Sequence, residues 1–453
     1  MHRDESFQNY FEGNVAYDFS TPDKLITLSE QEEAALGEGD VLRAVKRGIS
    51  ITVGEYINGG GQGDIYLSDL DGYVIKIFKN EERTVFLQKK VETIVGAPNE
   101  NPNVCWPCDI LKTEGGTFVG ILIPFVNGKK LCTLASGSRK KLKNNYPNYN
   151  RLVQVDMILK ILETFKYLHG RNILVADVKL ENIMFDPTTM NISLVDMDSI
   201  QIGQFNSVQS TQGYDPPEII QCRKDKGYEE KDDKGNYYYT KYYSDKYRTP
   251  KHESYSVSVL IYCFLMGERF PYTYDDWMNE GVQEGTYNPN TLCIEHKFAY
   301  GKSSEETKET ACEKNIWSHL PSFLKLTFIN AFVHNKRYTD DDWIKIFTKY
   351  KSLLQSGRLS RVDPNCMEVF PDDQIDYGAV DFSADEKAER TDFSIKRAVV
   401  KIAKIMDNSM LEKRAPEIAN MLSRITKYTV DSYRFELVYN IGVLKKIKCE
   451  NIL

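Results

Sequence analysis

The sequence predicts an α+β fold of two lobes: an antiparallel sheet with one helix, then a mainly helical lobe, then a C-terminal helical extension. Three observations lead there. Between Ile51 and Phe78 apolar residues alternate with polar ones and glycine clusters separate the runs, as in strands joined by turns. From Glu81 to Val95 the spacing becomes helical, and two further strand-like runs follow. From about residue 152 to about 350 the chain reads mostly helical.

Taken in order, residues 1–48 have mixed polarity and weak periodicity, which predicts an extension with one short helix near 29–36. Strands follow around Ile51, Val53 and Tyr56, then 65–67, then 73–77. Val85, Leu87, Val91, Ile94 and Val95 mark the helix; 109–112 and 118–123 are the next strands. Leu152, Val155, Leu159, Leu162, Phe165 and Leu168 share one helical face. Residues 223–250 are charged and tyrosine-rich with almost no aliphatic side chains, which predicts an insertion. A Pro/Asp-rich linker follows. Two or three amphipathic helices then begin with Phe393, Ala398, Val399, Ile402 and Ile405, and Pro416 suits a helix's first turn. The expected organisation is an extension 1–48, a main domain 49–355, a linker 356–386 and a helical region 387–453. Within the main domain the lobes are about 49–126 and about 127–355.

A chain of 453 residues with 41% hydrophobic content can bury a large core. A net charge of −7 argues against broad binding to nucleic acid or anionic membranes. No apolar run is long enough to span a bilayer, residues 1–10 lack a signal-peptide pattern, and the nine cysteines are scattered. A cytoplasmic setting with reduced thiols is expected. Cys105-Trp106-Pro107-Cys108 has redox or zinc half-site spacing, but neither a strand–helix context nor a second cysteine pair is visible, so a structural role is expected.

The chemistry concentrates in residues 167–186, YLHGRNILVADVKLENIMFD, where Asp177, Lys179 and Asn182 form D-x-K-x-x-N. A carboxylate to take a hydroxyl proton, a lysine to neutralise a transferring phosphate and an amide oxygen for Mg2+ together suit phosphoryl transfer. This stretch resembles, without a gap, the catalytic loop of the eukaryotic-type (Hanks-type) serine/threonine protein kinases. The resemblance extends over roughly residues 50–350. It implies the bilobal protein-kinase fold, ATP and Mg2+ as cofactors, and transfer of the γ-phosphate to a protein hydroxyl.

Carried over position by position, the resemblance implies that Asp177 is the base and Lys179 steadies the γ-phosphate. Asn58, Gly60, Gly61, Gly63 and Ile65 would form the glycine-rich loop, with Asn58 in place of the first glycine and tolerating a left-handed backbone. Lys76, in Tyr73-Val74-Ile75-Lys76, would hold phosphates. Its partner on the helix would be Gln88 by position, or Glu92 one turn later. Asp196, in Asp196-Met197-Asp198-Ser199, would bind metal with Asn182, while Asp198 is expected to act as a local cap. Ile123 would be the gatekeeper, Pro124 and Val126 the hinge groups for adenine, and Val74 and Met184 its apolar walls. Thr211 would bond the catalytic Asp and Lys; Glu218 would pair with Arg337; Glu253 takes the place of an Asp that usually opens the central helix.

Val175-Ala176 replaces the usual His-Arg before the catalytic Asp, which implies activity without phosphorylation of the activation segment. The chain also resembles a bacterial kinase-like branch, through Trp106-Pro107-Cys108-Asp109-Ile110 and Asp196-Met197-Asp198-Ser199-Ile200-Gln201 among other stretches. That branch often accompanies PP2C-type phosphatases and von Willebrand A domain proteins, which are the expected partners. Two alternatives stand beside the active kinase: a pseudokinase scaffold that binds nucleotide without efficient transfer, and a small-molecule phosphotransferase.

Overall fold

The computed structural model describes residues 23–34, 36–207, 211–227, 229–231, 237–239, 248–272, 288–301 and 311–375. The expected helical region 387–453 lies outside them.

The first lobe opens with α1 (Glu30–Ala34), where the short helix was expected. The strands β1 (Val41–Ala44), β2 (Ile49–Gly59), β3 (Gly63–Ser68) and β4 (Tyr73–Phe78) follow. Next come α2 (Val85–Gly96), β5 (Asp109–Lys112) and β6 (Phe118–Pro124). The strands close into an antiparallel barrel in the order β1-β2-β3-β4-β6-β5, with β1 also pairing to β5. The expected boundary at residue 48 is therefore corrected: β1 supplies Leu42 and Ala44 to the barrel interior, and without it β2 and β5 would be open edges. Residues before β1 are also tied in, since the Glu32 carboxylate accepts hydrogen bonds from Thr113 and Thr117 (2.8 Å each).

Alternation along β4 orients the site. Ile75 and Ile77 point into the barrel with Ile51, Val53 and Leu122. Phe78 faces the other way, toward Leu87, Val91 and Val95 of α2. Because side chains alternate, Lys76 shares the α2-facing side with Phe78. Close strand packing here needs glycine: a Cβ at Gly63 would collide with the Ile77 carbonyl, and one at Gly120 with the Lys76 carbonyl.

The second lobe begins with β7 (Lys129–Lys130), α3 (Cys132–Ala135), α4 (Arg139–Asn145) and α5 (Arg151–Gly170). Asn150 caps α5 by accepting from Val153 N. Val155, Leu162, Phe165 and Leu168 are buried as the spacing predicts, joined by Met157, Ile158 and Ile161, whereas Leu152 and Leu159 are half-buried. β8 (Ile183–Phe185) and β9 (Ile192–Leu194) pair beside β7 and flank the catalytic loop's exit. α6 (Pro217–Asp225) precedes a short antiparallel pair, β10 (Glu229–Lys231) and β11 (Tyr237–Tyr239), inside the predicted insertion. The ends of that insertion are core rather than solvated. Arg223 and Arg248 are buried and both donate to Asp215 at 2.5 Å.

α7 (Pro250–Leu265) is the central helix, capped by Thr249 and buried nearly all round from Tyr255 onward. α8 (Pro289–Ile294), α9 (Ala311–Ser318), α10 (Ser322–Phe332) and α11 (Asp340–Gln355) complete the lobe. Trp343, Phe347 and Tyr350 of α11 are fully buried, and burial of the Phe347 side chain alone stabilises the lobe by about 1.5–3 kcal/mol. The predicted linker 356–386 is corrected in its first part. Arg151 of α5 donates to the Val369 carbonyl at 2.9 Å and His319 pairs with Asp363 at 2.7 Å, so residues up to Ile375 pack on the second lobe. Polar groups presented to the backbone at fixed places outweigh the loop-like composition there.

Candidate active site

The catalytic-loop residues converge on one carboxylate. Asp177 is buried and its Oδ1 accepts from Thr211 Oγ1 at 2.6 Å. Its Oδ2 accepts from Lys179 Nζ at 2.6 Å and from Asn182 Nδ2 at 3.1 Å. Asn182 uses its amide nitrogen again on the Asp177 carbonyl at 3.0 Å, so its side-chain oxygen is not spent on Asp177.

The loop reaches this shape through a strained residue. Ala176 sits at φ 63°, a left-handed conformation that costs a β-carbon-bearing residue about 1–2 kcal/mol. It is held from behind by Glu253, whose Oε1 and Oε2 accept from the amides of Val175 and Ala176, each at 2.8 Å. Glu253 Oε1 also bonds His169 Nε2 at 2.8 Å, and His169 Nδ1 meets Asp340 at 2.6 Å. Burial opposes the His169 charge, but hydrogen bonds to Asp340 and Glu253 win and lift its pKa to about 10. The sequence reading gave Glu253 only a positional role; its triple acceptance is what fixes the loop.

Lys76 is 5% exposed and bonds two carboxylates: Asp196 at 2.6 Å and Asp198 at 3.0 and 2.8 Å. Burial alone would lower its pKa; the charges of Asp196 and Asp198 reverse this and raise it. Two expectations are corrected here. Neither Gln88 nor Glu92 meets Lys76, because they bond each other at 2.8 Å and Glu92 also pairs with Lys89. The inward face of α2 instead carries Leu87, Lys90, Val91, Ile94 and Val95. Asp198 is no local cap: at 2% exposure it gives both oxygens to Lys76. Asp196 takes φ 61°, a left-handed conformation rare for a residue with a β-carbon, and Met197 beside it is buried. Asp196 and Asn182 offer the hard oxygen donors that Mg2+ takes alongside substrate phosphates.

The predicted nucleotide-binding residues line successive elements. Asn58 pairs with Ile65 across β2 and β3, and its Oδ1 accepts from Gly59 N at 2.9 Å. Its backbone is extended in the strand rather than left-handed, which corrects that expectation: strand pairing makes the special conformation unnecessary. Gly60 and Gly61 form the turn, closed by Gly60 N on the Gly63 carbonyl at 2.9 Å. Val74 faces Ile123 across β4 and β6, Pro124 ends β6 opposite Tyr73, and Val126 lies just beyond. Met184 sits in β8.

The segment expected to be the hinge is braced by the Cys-Trp-Pro-Cys stretch. Cys105 and Cys108 thiols donate to the carbonyls of Pro124 and Leu122, both at 3.2 Å, and Trp106 Nε1 to Ile94 of α2 at 2.9 Å. Burial pushes the Cys105 thiol up to about 12, so it is an inert donor and not a thiolate ligand. Among the described residues no cluster of three or more His, Cys, Asp or Glu side chains could hold a metal. Further down, Arg337 donates to both oxygens of Glu218, at 2.8 and 2.7 Å. The charge on Asp215, missed in the sequence, is kept by Arg248 and Arg223, which lower its pKa against the effect of burial.

Residues 65–325, more than half of the chain, match the protein kinase domain family, and the chain belongs to that family. It is similar to the protein kinase YegI of Escherichia coli O157:H7, 23% identical over 335 residues, which cover 72% of this chain and 48% of that protein. It is also similar to the serine/threonine-protein kinase PknG of Mycobacterium leprae, 30% identical over 111 residues, or 24% of this chain and 14% of that one. The chain thus spans about half the length of YegI and less of PknG. A solved structure, the ROP18 kinase domain in complex with AMP-PNP and sucrose, aligns with a TM-score of 0.46 at 14% identity, covering 73% of this chain and 89% of that one. No helix among the described residues is long and apolar enough to cross a membrane.

Proposed function

We propose that this protein kinase is an active serine/threonine kinase dependent on ATP and Mg2+. The convergence of Lys179, Asn182 and Thr211 on Asp177 carries the reading, because it holds one carboxylate ready to receive a proton. A substrate hydroxyl would lose its proton to Asp177 as its oxygen bonds the γ-phosphorus and the β–γ bridging oxygen leaves with ADP. Lys179 would offset charge on the moving phosphoryl group, and Lys76 would hold the phosphates behind it. Asn182 and Asp196 would hold Mg2+, which supplies charge neutralisation on the phosphates. The Thr211 contact supports a serine or threonine acceptor.

Activity without phosphorylation of the activation segment belongs to the same reading. Glu253 holds the loop where an Arg-bridged phosphate is not available, and Ser199 and Ser207 are buried. A PP2C-type phosphatase and a von Willebrand A domain protein are proposed partners. Asp177→Asn tests the core assignment: autophosphorylation should fall by about 100-fold or more with ATP binding kept. Autophosphorylation at the wild-type rate would overturn it, and ATP binding without transfer by the wild type would favour the scaffold.

A further inference from the structure

The helix that should supply a carboxylate to Lys76 supplies a lysine instead. Lys90 occupies the inward stripe of α2 between Leu87 and Val91, and it is 4% exposed. Among the described residues no hydrogen bond or ion pair ends on its ammonium. Its neighbours Leu87 and Val91 pack on Phe78, the side of β4 that also carries Lys76, so Lys90 lies on the Lys76 side of α2, where the charges that act on it are those of Asp198, Asp196 and Lys76. Burial pulls its pKa down to about 8, against the pull of the two aspartates, which leaves it mostly charged at neutral pH. A lysine with most of its side chain buried and no bonded partner is an expensive choice for this stripe, which an apolar residue would fill at less cost.

Counting charges shows what it could offset. Lys76 and Lys90 balance Asp196 and Asp198, but Lys76 alone makes every direct contact. On the reading above, ATP phosphates compete for Lys76, and Mg2+ takes Asp196. Asp198, which is buried and paired with Lys76, would then be short of its partner, and breaking a buried charge pair is costly.

We propose that Lys90 is a positioning residue for phosphoryl transfer: when the phosphates of ATP engage Lys76, Lys90 takes over Asp198. It thereby does with reversed sign what a helix carboxylate would do for Lys76, linking α2 to the metal-binding segment. The inference rests on the proposed nucleotide site.

The test uses the full chain with Lys90→Met, Lys90→Arg, Asp198→Asn and the Lys90→Met/Asp198→Asn double variant. Calorimetry with Mg·ATP and with adenosine is read beside steady-state autophosphorylation and urea unfolding. Lys90→Met should weaken Mg·ATP binding or lower kcat by about 10- to 100-fold, the worth of a charged hydrogen bond. Adenosine binding and urea stability should hold, because adenosine does not call on Lys76. Lys90→Arg should restore most of the loss. The double variant should lose less than the product of the single losses, as expected for coupled charges. Unchanged Mg·ATP binding and turnover in Lys90→Met would overturn the role of Lys90 alone. Equal losses for adenosine and Mg·ATP, or a loss matched by lowered urea stability, would also overturn it by showing a packing role. A wild type that binds adenosine but not Mg·ATP, or neither, would remove the nucleotide reading and this inference with it.

Discussion

Replacing Glu253 by alanine should unfasten the catalytic loop. The wild-type carboxylate is fully buried and accepts from Val175 N, Ala176 N and His169 Nε2. His169 keeps Asp340 in the variant, so its charge is not orphaned. The two amides are, since Val175 and Ala176 are themselves buried. Each buried unsatisfied N–H costs about 1–3 kcal/mol, which gives about 2–6 kcal/mol together. The cost of breaking a buried charged network, about 3–5 kcal/mol, falls in the same range. Ala176 would also relax from its left-handed conformation, which moves the backbone one residue before Asp177. Urea unfolding of Glu253→Ala should therefore show a loss of about 3–5 kcal/mol, and phosphotransfer should fall further than the loss of folded protein explains. A loss below about 1 kcal/mol with an unchanged denaturant slope would refute the claim that this side chain holds the loop.

The same network predicts a pH dependence. His169 has a folded pKa of about 10 against an ordinary 6.5, so its contribution is complete below about pH 6.5 and is lost as pH rises toward 10. The stability gap between wild type and His169→Ala should shrink over that window, and a gap that widens would contradict the assignment. Thr211→Val removes a 2.6 Å bond to Asp177 while keeping its shape; kcat should drop roughly 10- to 100-fold with little change in KM for ATP, measured by steady-state kinetics. Asp215→Ala leaves two buried guanidinium groups without their carboxylate and should cost about 3–5 kcal/mol in urea unfolding at pH 7. Since the Asp215 pKa is lowered in the fold, that contribution is complete above the ordinary value of 3.8 and fades as pH falls through the lower folded value; a wild type and variant of equal stability at pH 7 would refute it.

What was legible early is what local spacing encodes. The alternation of β4 placed Lys76 in a buried strand, and D-x-K-x-x-N packed a carboxylate, a cation and an amide into six residues of one loop. A run that short has few ways to fold, so Asp177, Lys179 and Asn182 meet almost wherever the loop goes. The boundary errors arose where composition competes with tertiary pairing. Val41–Ala44 is too short to announce itself, and only its partners β2 and β5 make it a strand. Residues 356–375 look like linker until Arg151 and His319 take their carbonyl and carboxylate groups.

By itself, then, the amino-acid order determined the family, the fold class and the grouping of Asp177, Lys179 and Asn182 in one loop, because each is written in local spacing. Only the tertiary structure decided which charges meet. Asp196 and Asp198 reach Lys76 from 120 and 122 residues away, and the rotation of α2 turns Lys90 inward while Gln88 and Glu92 satisfy each other. A helix carries a carboxylate or an ammonium with equal ease; which face turns toward a buried charge is set by packing of Leu87, Val91, Ile94 and Val95 against the sheet.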